Sequence, residues 1–364
     1  MLRHSWEKIM VQPATFTACP PERVIPIESR AAGLNGVIVL HSTRLGPAAG
    51  GCRFWRYDDS GALHKDALRL AEGMAYKNAL ADLRLGGGKA VLAVPDRPYD
   101  RAKLFEAFGQ AVRELAGDYV TAEDVGTTVE DMAAVRRNTM HVAGLVKKPG
   151  QPGGDPSPWT ARGVFLSMQV AARRHFGTGL QDLTVAVQGL GNVGSGLCAL
   201  LHEAGAKLIV AEPRPGVAAH IACLYGAEIM NKDAILSAQA DIFAPCALGG
   251  VLDHRTIPTL RAKLICGGAN NILGSPEDGE RLAERDVLYA PDYVVNAGGI
   301  INVAGEYLGW SSEEVARRVG ETGERLARIL DYAGREGLTP GDAADRLARK
   351  AIAGARAPLA LQPA

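Results

Sequence analysis

Apolar and polar positions change period repeatedly along this chain, and each change marks a passage between strand and helix. After a polar opening, GVIVLHST at 36–43 reads as a strand. The glycine-rich LGPAAGGCR at 45–53 reads as a turn, whose adjacent Gly50 and Gly51 let a backbone approach something closely. Residues 66–82 follow a period of about 3.6 and predict a helix, and the apolar run at 89–94 predicts a buried strand. Between 100 and 115, Leu104, Phe105, Phe108, Val112 and Leu115 recur at helical spacing as a core face. YVTAEDVGTT at 119–128 carries a strand up to Glu123 and Asp124, and the next helix has its first apolar position at Met132.

Residues 147–159, KKPGQPGGDPSPW, hold four prolines and three glycines. Such a stretch cannot keep regular structure, so the domain boundary is set at 148/149 with a cleft beside it. A helix follows at 160–176, then the apolar strand and turn LTVAVQGLGNVG at 183–194. GAEIM, ADIFAPCA, AKLICGG and VLYAP continue the rhythm as short buried strands with helical stretches between them. The fold class is therefore α/β, with a doubly wound parallel sheet of Rossmann type in the second half. Polar, charge-mixed helices are expected at 311–332 and 341–353.

Two lysines stand where packing does not ask for them. Lys77 shares a helical stripe with Leu70, Gly73, Met74 and Ala81, so its ammonium either snorkels outward or meets an anion. Lys89 follows Gly86-Gly87-Gly88 at the mouth of the buried strand, where burial favours a neutral amine. A phosphate-cradling loop is excluded, because Leu83 and Ala90 stand where that motif needs glycine and Ser or Thr. Glu123 and Asp124 either cap the following helix or face the lysines as part of an acid/base set.

The strongest motif is Gly189-x-Gly191-x-x-Gly194, with Asn192 and Val193 inside it. It lies between strand and helix and is followed by the strand KLIVAE. Its glycines permit the tight turn, the approach of a pyrophosphate and close helix packing. Glu212, 18 residues beyond Gly194, can accept the ribose hydroxyls of adenosine and favours NAD, while Arg214 keeps NADP open. Turns at Ala247–Gly250, Ala269-Asn270-Asn271 and Asn296-Ala297-Gly298-Gly299 are either turn chemistry alone or the hold on a nicotinamide end and a small substrate.

Composition narrows the classes. At 364 residues the chain suits two domains, and 40 basic residues balance 40 acidic ones, so no basic field invites nucleic acid. No run approaches a membrane span, and the N-terminus carries charges and a proline where a signal peptide needs an apolar core, so a cytoplasmic protein is expected. Six scattered cysteines lack metal-ligand spacing and read as buried free thiols, with no metal site.

Taken together, Gly50-Gly51-Cys52-Arg53, the run 73–78, Gly86 to Lys89, the run 122–128, Gly189 to Gly194 and Asn296 to Gly299 resemble the NAD-dependent amino acid dehydrogenases of the leucine, phenylalanine and valine branch of the glutamate dehydrogenase superfamily. The resemblance implies an N-terminal substrate domain with a mixed sheet (1–148), a Rossmann cofactor domain (149–334) and a C-terminal segment (335–364) returning to the first. It implies that Lys77, helped by the backbone of Gly50 and Gly51, binds the substrate α-carboxylate. Lys89 is then the general base, and Asp124 exchanges protons at the amino group. Asn270 and Asn296 would sit by the nicotinamide ribose and the substrate, Thr160 by the carboxamide, and Ala247 in the cofactor site. Ala49, Met74, Ala122, Ile300 and Val303 would form an apolar side-chain pocket, which argues against glutamate. The implied substrate is leucine or valine, with phenylalanine or a tryptophan-like amino acid as the alternative. The products are the 2-oxo acid and ammonia, and the assembly is a homo-oligomer, from dimer to octamer. A non-catalytic dinucleotide-binding sensor is the distant alternative.

Overall fold

The computed structural model describes residues 19–146, 150–247 and 249–355. The opening residues 1–18, the Lys147-Lys148-Pro149 start of the proline-rich stretch, Leu248 and residues 356–364 lie outside them, together with the expectations that fall there.

The fold is two-domain α/β. The first sheet is built from β1 (Arg23–Ser29), β2 (Leu34–Ser42), β3 (Ala48–Ala49), β4 (Cys52–Trp55), β5 (Gly86–Ala93) and β6 (Tyr119–Val120). Its order is β1-β2-β5-β3-β6, with β4 also on β5, and it is mixed: β1/β2 and β2/β5 are antiparallel, the rest parallel. Alternation in β2 assigns the two faces. Val37 and Val39 pack with α1 (Ser60–Leu80), whereas Ile38 and Leu40 pack with α2 (Arg101–Glu114) and α3 (Val129–Arg136). The five residues predicted as core between 100 and 115 are all buried there, four in α2 and Leu115 at its C-cap.

Helix α1 lies directly on β5 because Gly87 has no side chain: a Cβ there would come within 2.1 Å of the Ala75 amide nitrogen. That contact sets the depth of the helix carrying Lys77 against the strand carrying Lys89.

The second sheet is wholly parallel, β12-β11-β10-β7-β8-β9. The chain enters it through α4 (Ser157–Phe176), then runs β7 (Thr184–Gln188), α5 (Asn192–Glu203), β8 (Lys207–Ala211), α6 (Pro215–Tyr225), β9 (Glu228–Ile229), β10 (Ile242–Pro245), β11 (Leu264–Ile265), α7 (Glu277–Glu284) and β12 (Leu288–Tyr289). Numbered from β7, this is the 3-2-1-4-5-6 order of a doubly wound dinucleotide fold. After α8 (Asp292–Val295), α9 (Gly298–Leu308), α10 (Ser312–Gly320) and α11 (Thr322–Glu336), α12 (Pro340–Ala353) packs on α1, with Ala348 among Ala75, Tyr76 and Ala79. Among the described residues no helix is long and apolar enough to cross a membrane.

Several local expectations change. The helix predicted from 66 begins at Ser60, where the Asp59 carboxylate accepts the Ala62 amide; its first turn, Ser60-Gly61-Ala62-Leu63, holds a single large apolar residue and so shows no period. The three glycines before Lys89 are inside β5, and the turn predicted at 45–53 contains β3 and the start of β4, strands too short to show a period. Glu123 and Asp124 do not cap α3, because Thr128 and Asp131 form a reciprocal capping box, an arrangement worth about 1 kcal/mol. Helix α4 starts inside the proline-rich stretch, with Pro158 in its first turn, where a missing N–H costs nothing. The stretch 311–332 is two helices, and among the described residues the link from β10 to β11 holds a single 3-10 turn, Ile257–Thr259. Asn296 lies between α8 and α9 rather than at a strand end. Of the six free cysteines, Cys19 and Cys223 are exposed and Cys246 is half-buried.

Candidate active site

Lys89 projects from β5 and its side chain is buried, 6% exposed. Its Nζ lies 2.6 Å from Asp124 Oδ2. The same oxygen has Arg53 Nε at 3.5 Å, while the Arg53 guanidinium also donates to Asp66 at 2.9 Å. Burial pushes the Asp124 carboxyl up, but Lys89 and Arg53 outweigh it and hold the group below the usual carboxylate range. The loop bearing Asp124 is pinned by its own amide, which donates to Thr127 Oγ1 at 2.8 Å. Gly51 makes room for it, since a Cβ there would stand 2.7 Å from Asp124 Cβ. Gly50 is spent structurally: its amide donates to Val120 O at 3.1 Å and its carbonyl accepts from Tyr119 Oη at 2.7 Å.

Lys77 of α1 reaches Asn270, in the loop after β11. Its Nζ donates to Asn270 Oδ1 at 3.1 Å, and that oxygen also accepts from Asn296 Nδ2 at 2.8 Å. Asn296 Nδ2 also donates to Ala269 O at 3.2 Å, while its side-chain oxygen has no partner among the described residues. Burial lowers the Lys77 ammonium to about 8; Asp292 opposes the shift, and the Lys89 charge adds to it.

The dinucleotide motif has the geometry its spacing predicts. Gly189 has φ +89°, and a Cβ on Gly194 would sit 2.0 Å from Gly189 O, so the turn and the helix packing both need glycine. A Cβ on Gly191 would meet nothing within 4 Å, which leaves the α5 N-terminus open to a pyrophosphate. Ala247 backs this turn, being the residue a Cβ on Gly189 would strike at 2.7 Å. Glu212 accepts from the Leu190 amide at 2.9 Å and from Arg214 Nε at 2.6 Å, and these bonds, Arg214 first, lower its carboxyl to about 2. Asn192 donates to Asp155 at 3.1 Å, and Val193 lies where a Cβ on Gly268 would stand 2.6 Å from it. The residues therefore fit a nicotinamide dinucleotide.

Thr160 sits on the first turn of α4 with its hydroxyl on Pro156 O at 3.3 Å, against Gly299 of α9. Ala49 and Ala122 from the first domain share one apolar cluster with Ile300 and Val303 from α9. Met74 lies beside Gly50, 3.1 Å from where its Cβ would be. Three residues escaped the sequence reading. Arg53 lies inside a quoted motif, and Asp292 stands four positions before Asn296. Glu306 had no motif to mark it; its carboxylate accepts the Gly144 and Leu145 amides at 2.8 and 2.9 Å and ties α9 to the end of the first domain.

Two family models match, "Glu/Leu/Phe/Val dehydrogenase, dimerisation domain" over residues 21–141 and "Glutamate/Leucine/Phenylalanine/Valine dehydrogenase" over 155–220 and 212–357. The chain belongs to the Glu/Leu/Phe/Val dehydrogenase family. It is an amino acid dehydrogenase, an oxidoreductase. This dehydrogenase is 44% identical over 332 residues to the leucine dehydrogenase of Geobacillus stearothermophilus, covering 91% of this chain and 90% of that one. It is 42% identical to the valine dehydrogenase of Streptomyces albus, covering 92% and 93%. The crystal structure of L-tryptophan dehydrogenase from Nostoc punctiforme superposes with a TM-score of 0.79 at 39% identity, covering 92% of this dehydrogenase and 96% of that chain.

Proposed function

We propose that this dehydrogenase catalyses the reversible oxidative deamination of an apolar L-amino acid, leucine or valine, to the 2-oxo acid and ammonia, with NAD as cofactor. The observation that carries the proposal is the buried Lys89–Asp124 pair at 2.6 Å, with Lys77 as a second ammonium within reach of both charges.

Lys77 binds the substrate α-carboxylate, exchanging its Asn270 partner for a charged one. Gly51 rather than Gly50 supplies any backbone help, since both polar groups of Gly50 are occupied. Bound nicotinamide dinucleotide, held by Gly189 to Gly194, Ala247, Thr160 and Glu212, supplies the acceptor for the hydride leaving the α-carbon. Lys89 then takes a proton from the water that attacks the iminium carbon, and Asp124 passes protons to and from the nitrogen as ammonia departs. At 2.6 Å, Lys89 and Asp124 form a single acid/base unit.

For the cofactor, Arg214 is engaged with Glu212 rather than held out for a 2′-phosphate, which supports NAD over NADP. For the substrate, the cluster of Ala49, Ala122, Ile300 and Val303 offers no cation to a side-chain carboxylate, and the leucine and valine dehydrogenase relatives support an aliphatic side chain. The small Ala49 supports the aromatic alternative. We extend the domain division at 148/149 to function, with substrate binding and homo-oligomer contacts in the first domain, in keeping with the dimerisation description of the matched model. The sequence supports a cytoplasmic enzyme.

The test is NADH formation, followed by absorbance at alkaline pH with a panel of L-amino acids. Leucine and valine should lead. A lead for phenylalanine or tryptophan would move the pocket assignment, and no NADH from any member would overturn the reaction.

A further inference from the structure

Asp292 is a buried carboxylate that the reaction as written does not use. It opens α8, which packs against α1, the helix of Lys77. Both its oxygens take backbone amides: Oδ2 accepts from Ile272 at 2.8 Å and Oδ1 from Tyr293 at 2.6 Å. The first bond has a consequence two residues upstream. Ile272 follows Asn271, whose φ of 53° is a left-handed conformation that must be held in place, and Asn270 before it presents the oxygen that receives Lys77. One carboxylate thus fixes the backbone of the turn whose side chain meets the lysine.

The charge matters as well. The charges that act on Lys77 are Asp292 of α8, Lys89 of β5 and Asp124 of the loop after β6. Asp345 and Arg349 of α12 face the neighbouring Tyr76, and Arg69 acts on Asp292. Of the charges around Lys77, Asp292 acts most strongly, and it favours the ammonium against burial. Burial in turn pushes Asp292 up, while the Ile272 amide and the Lys77 charge favour its ionised form.

We propose that Asp292 is a positioning residue for substrate binding: it holds the Asn270 turn against Lys77 and supplies, from the cofactor domain, the buried negative charge that the carboxylate-binding lysine faces. This rests on Lys77 being that lysine. The interaction makes recognition of the α-carboxylate a property of both domains, since the cation comes from one and its counter-charge from the other.

The experiment is the pH dependence of KM for the amino acid, and of Kd for the 2-oxo acid, between pH 6 and 9. In the wild type, carboxylate affinity falls as pH rises through the Lys77 titration. Asp292→Asn should move that loss about one pH unit toward acid, roughly a fivefold weaker KM at pH 8 that approaches tenfold by pH 9, with kcat at saturating substrate within a few-fold. Asp292→Ser, which adds no N–H donor against the Ile272 amide, should do the same and serves if the Asn variant does not fold. Asn270→Ala should weaken affinity but leave the midpoint where it is. Superposable pH profiles for wild type and the Asp292 variants, or an equal fall in kcat and kcat/KM with no pH displacement, would overturn the inference. Lys77→Met separates the two levels. If it leaves KM unchanged, the carboxylate-binding reading itself fails; if it raises KM while the Asp292 profiles superpose, only the present inference fails.

Discussion

Asp124→Asn gives the sharpest test of the acid/base unit, because it removes one charge with almost no change of shape. The carboxylate it replaces is 17% exposed and has Lys89 Nζ at 2.6 Å and Arg53 Nε at 3.5 Å. Stranding one partner of a buried ion pair costs about 3–5 kcal/mol. The lower end applies, because Arg53 keeps Asp66 at 2.9 Å and only Lys89 loses its counter-ion. At an unfolding entropy of about 2 cal/mol/K per residue, 3 kcal/mol in a domain of the size of 21–141 lowers the melting temperature by roughly 10 °C. Turnover should fall by about 10²–10⁴, the usual worth of a positioned proton-transfer group, with NADH binding by fluorescence unchanged.

Acid supplies an independent check on the same variant. The folded Asp124 carboxyl titrates below its unfolded value, so its contribution is complete above the unfolded carboxylate pKa of about 3.9 and is lost as pH falls through the folded value. The melting gap between wild type and Asp124→Asn should therefore be full at neutral pH and close in acid. A variant that melts with the wild type at pH 7 and turns over at more than a tenth of its rate would refute the reasoning.

Two further substitutions probe the shape of the site. Gly51→Ala would place a Cβ 2.7 Å from Asp124 Cβ and 2.8 Å from Glu123 O, so it should cost about 1–3 kcal/mol of overpacking and displace the carboxylate. Thermal melts and kcat should fall together, and a fully active Gly51→Ala enzyme would sink this account of the glycine. Glu212→Ala frees Arg214 from its 2.6 Å partner and removes the acceptor for ribose hydroxyls, so the ratio of kcat/KM for NAD over NADP should drop at least tenfold. An unchanged ratio would place cofactor selection elsewhere.

The sequence made the chemistry legible wherever it was local. Lys77 and Lys89 betrayed themselves by sitting on an apolar helical stripe and at the head of an apolar run, and GLGNVG by lying between a strand and a helix. What stayed hidden depended on tertiary pairing. The exposure pattern of β1 follows its position at the sheet edge, and β3 has two residues, so neither carries a period to read. The choice between capping and catalysis for Asp124 needed two later residues, Thr128 and Asp131, which took the capping role. The Lys77–Asn270 bond joins positions 193 apart, a distance no periodicity spans.

The packing of α12 on α1 has a bearing on how the enzyme comes to life. Ala348 and Ile352 fill the side of the lysine-bearing helix formed by Ala75, Tyr76 and Ala79, and Arg349 donates to Tyr76 Oη at 3.3 Å. During synthesis at roughly 5–20 residues per second, residue 353 leaves the ribosome tens of seconds after residue 77. Until then the face of α1 behind Lys77 lacks Ala348 and Ile352 and has its earlier neighbours, Leu45 and Tyr293, against it. A nascent chain can complete its first sheet early, yet the face of α1 behind Lys77 is packed in full only when α12 has arrived. The backing of the Lys77 helix is thereby the last part of the described fold to be completed.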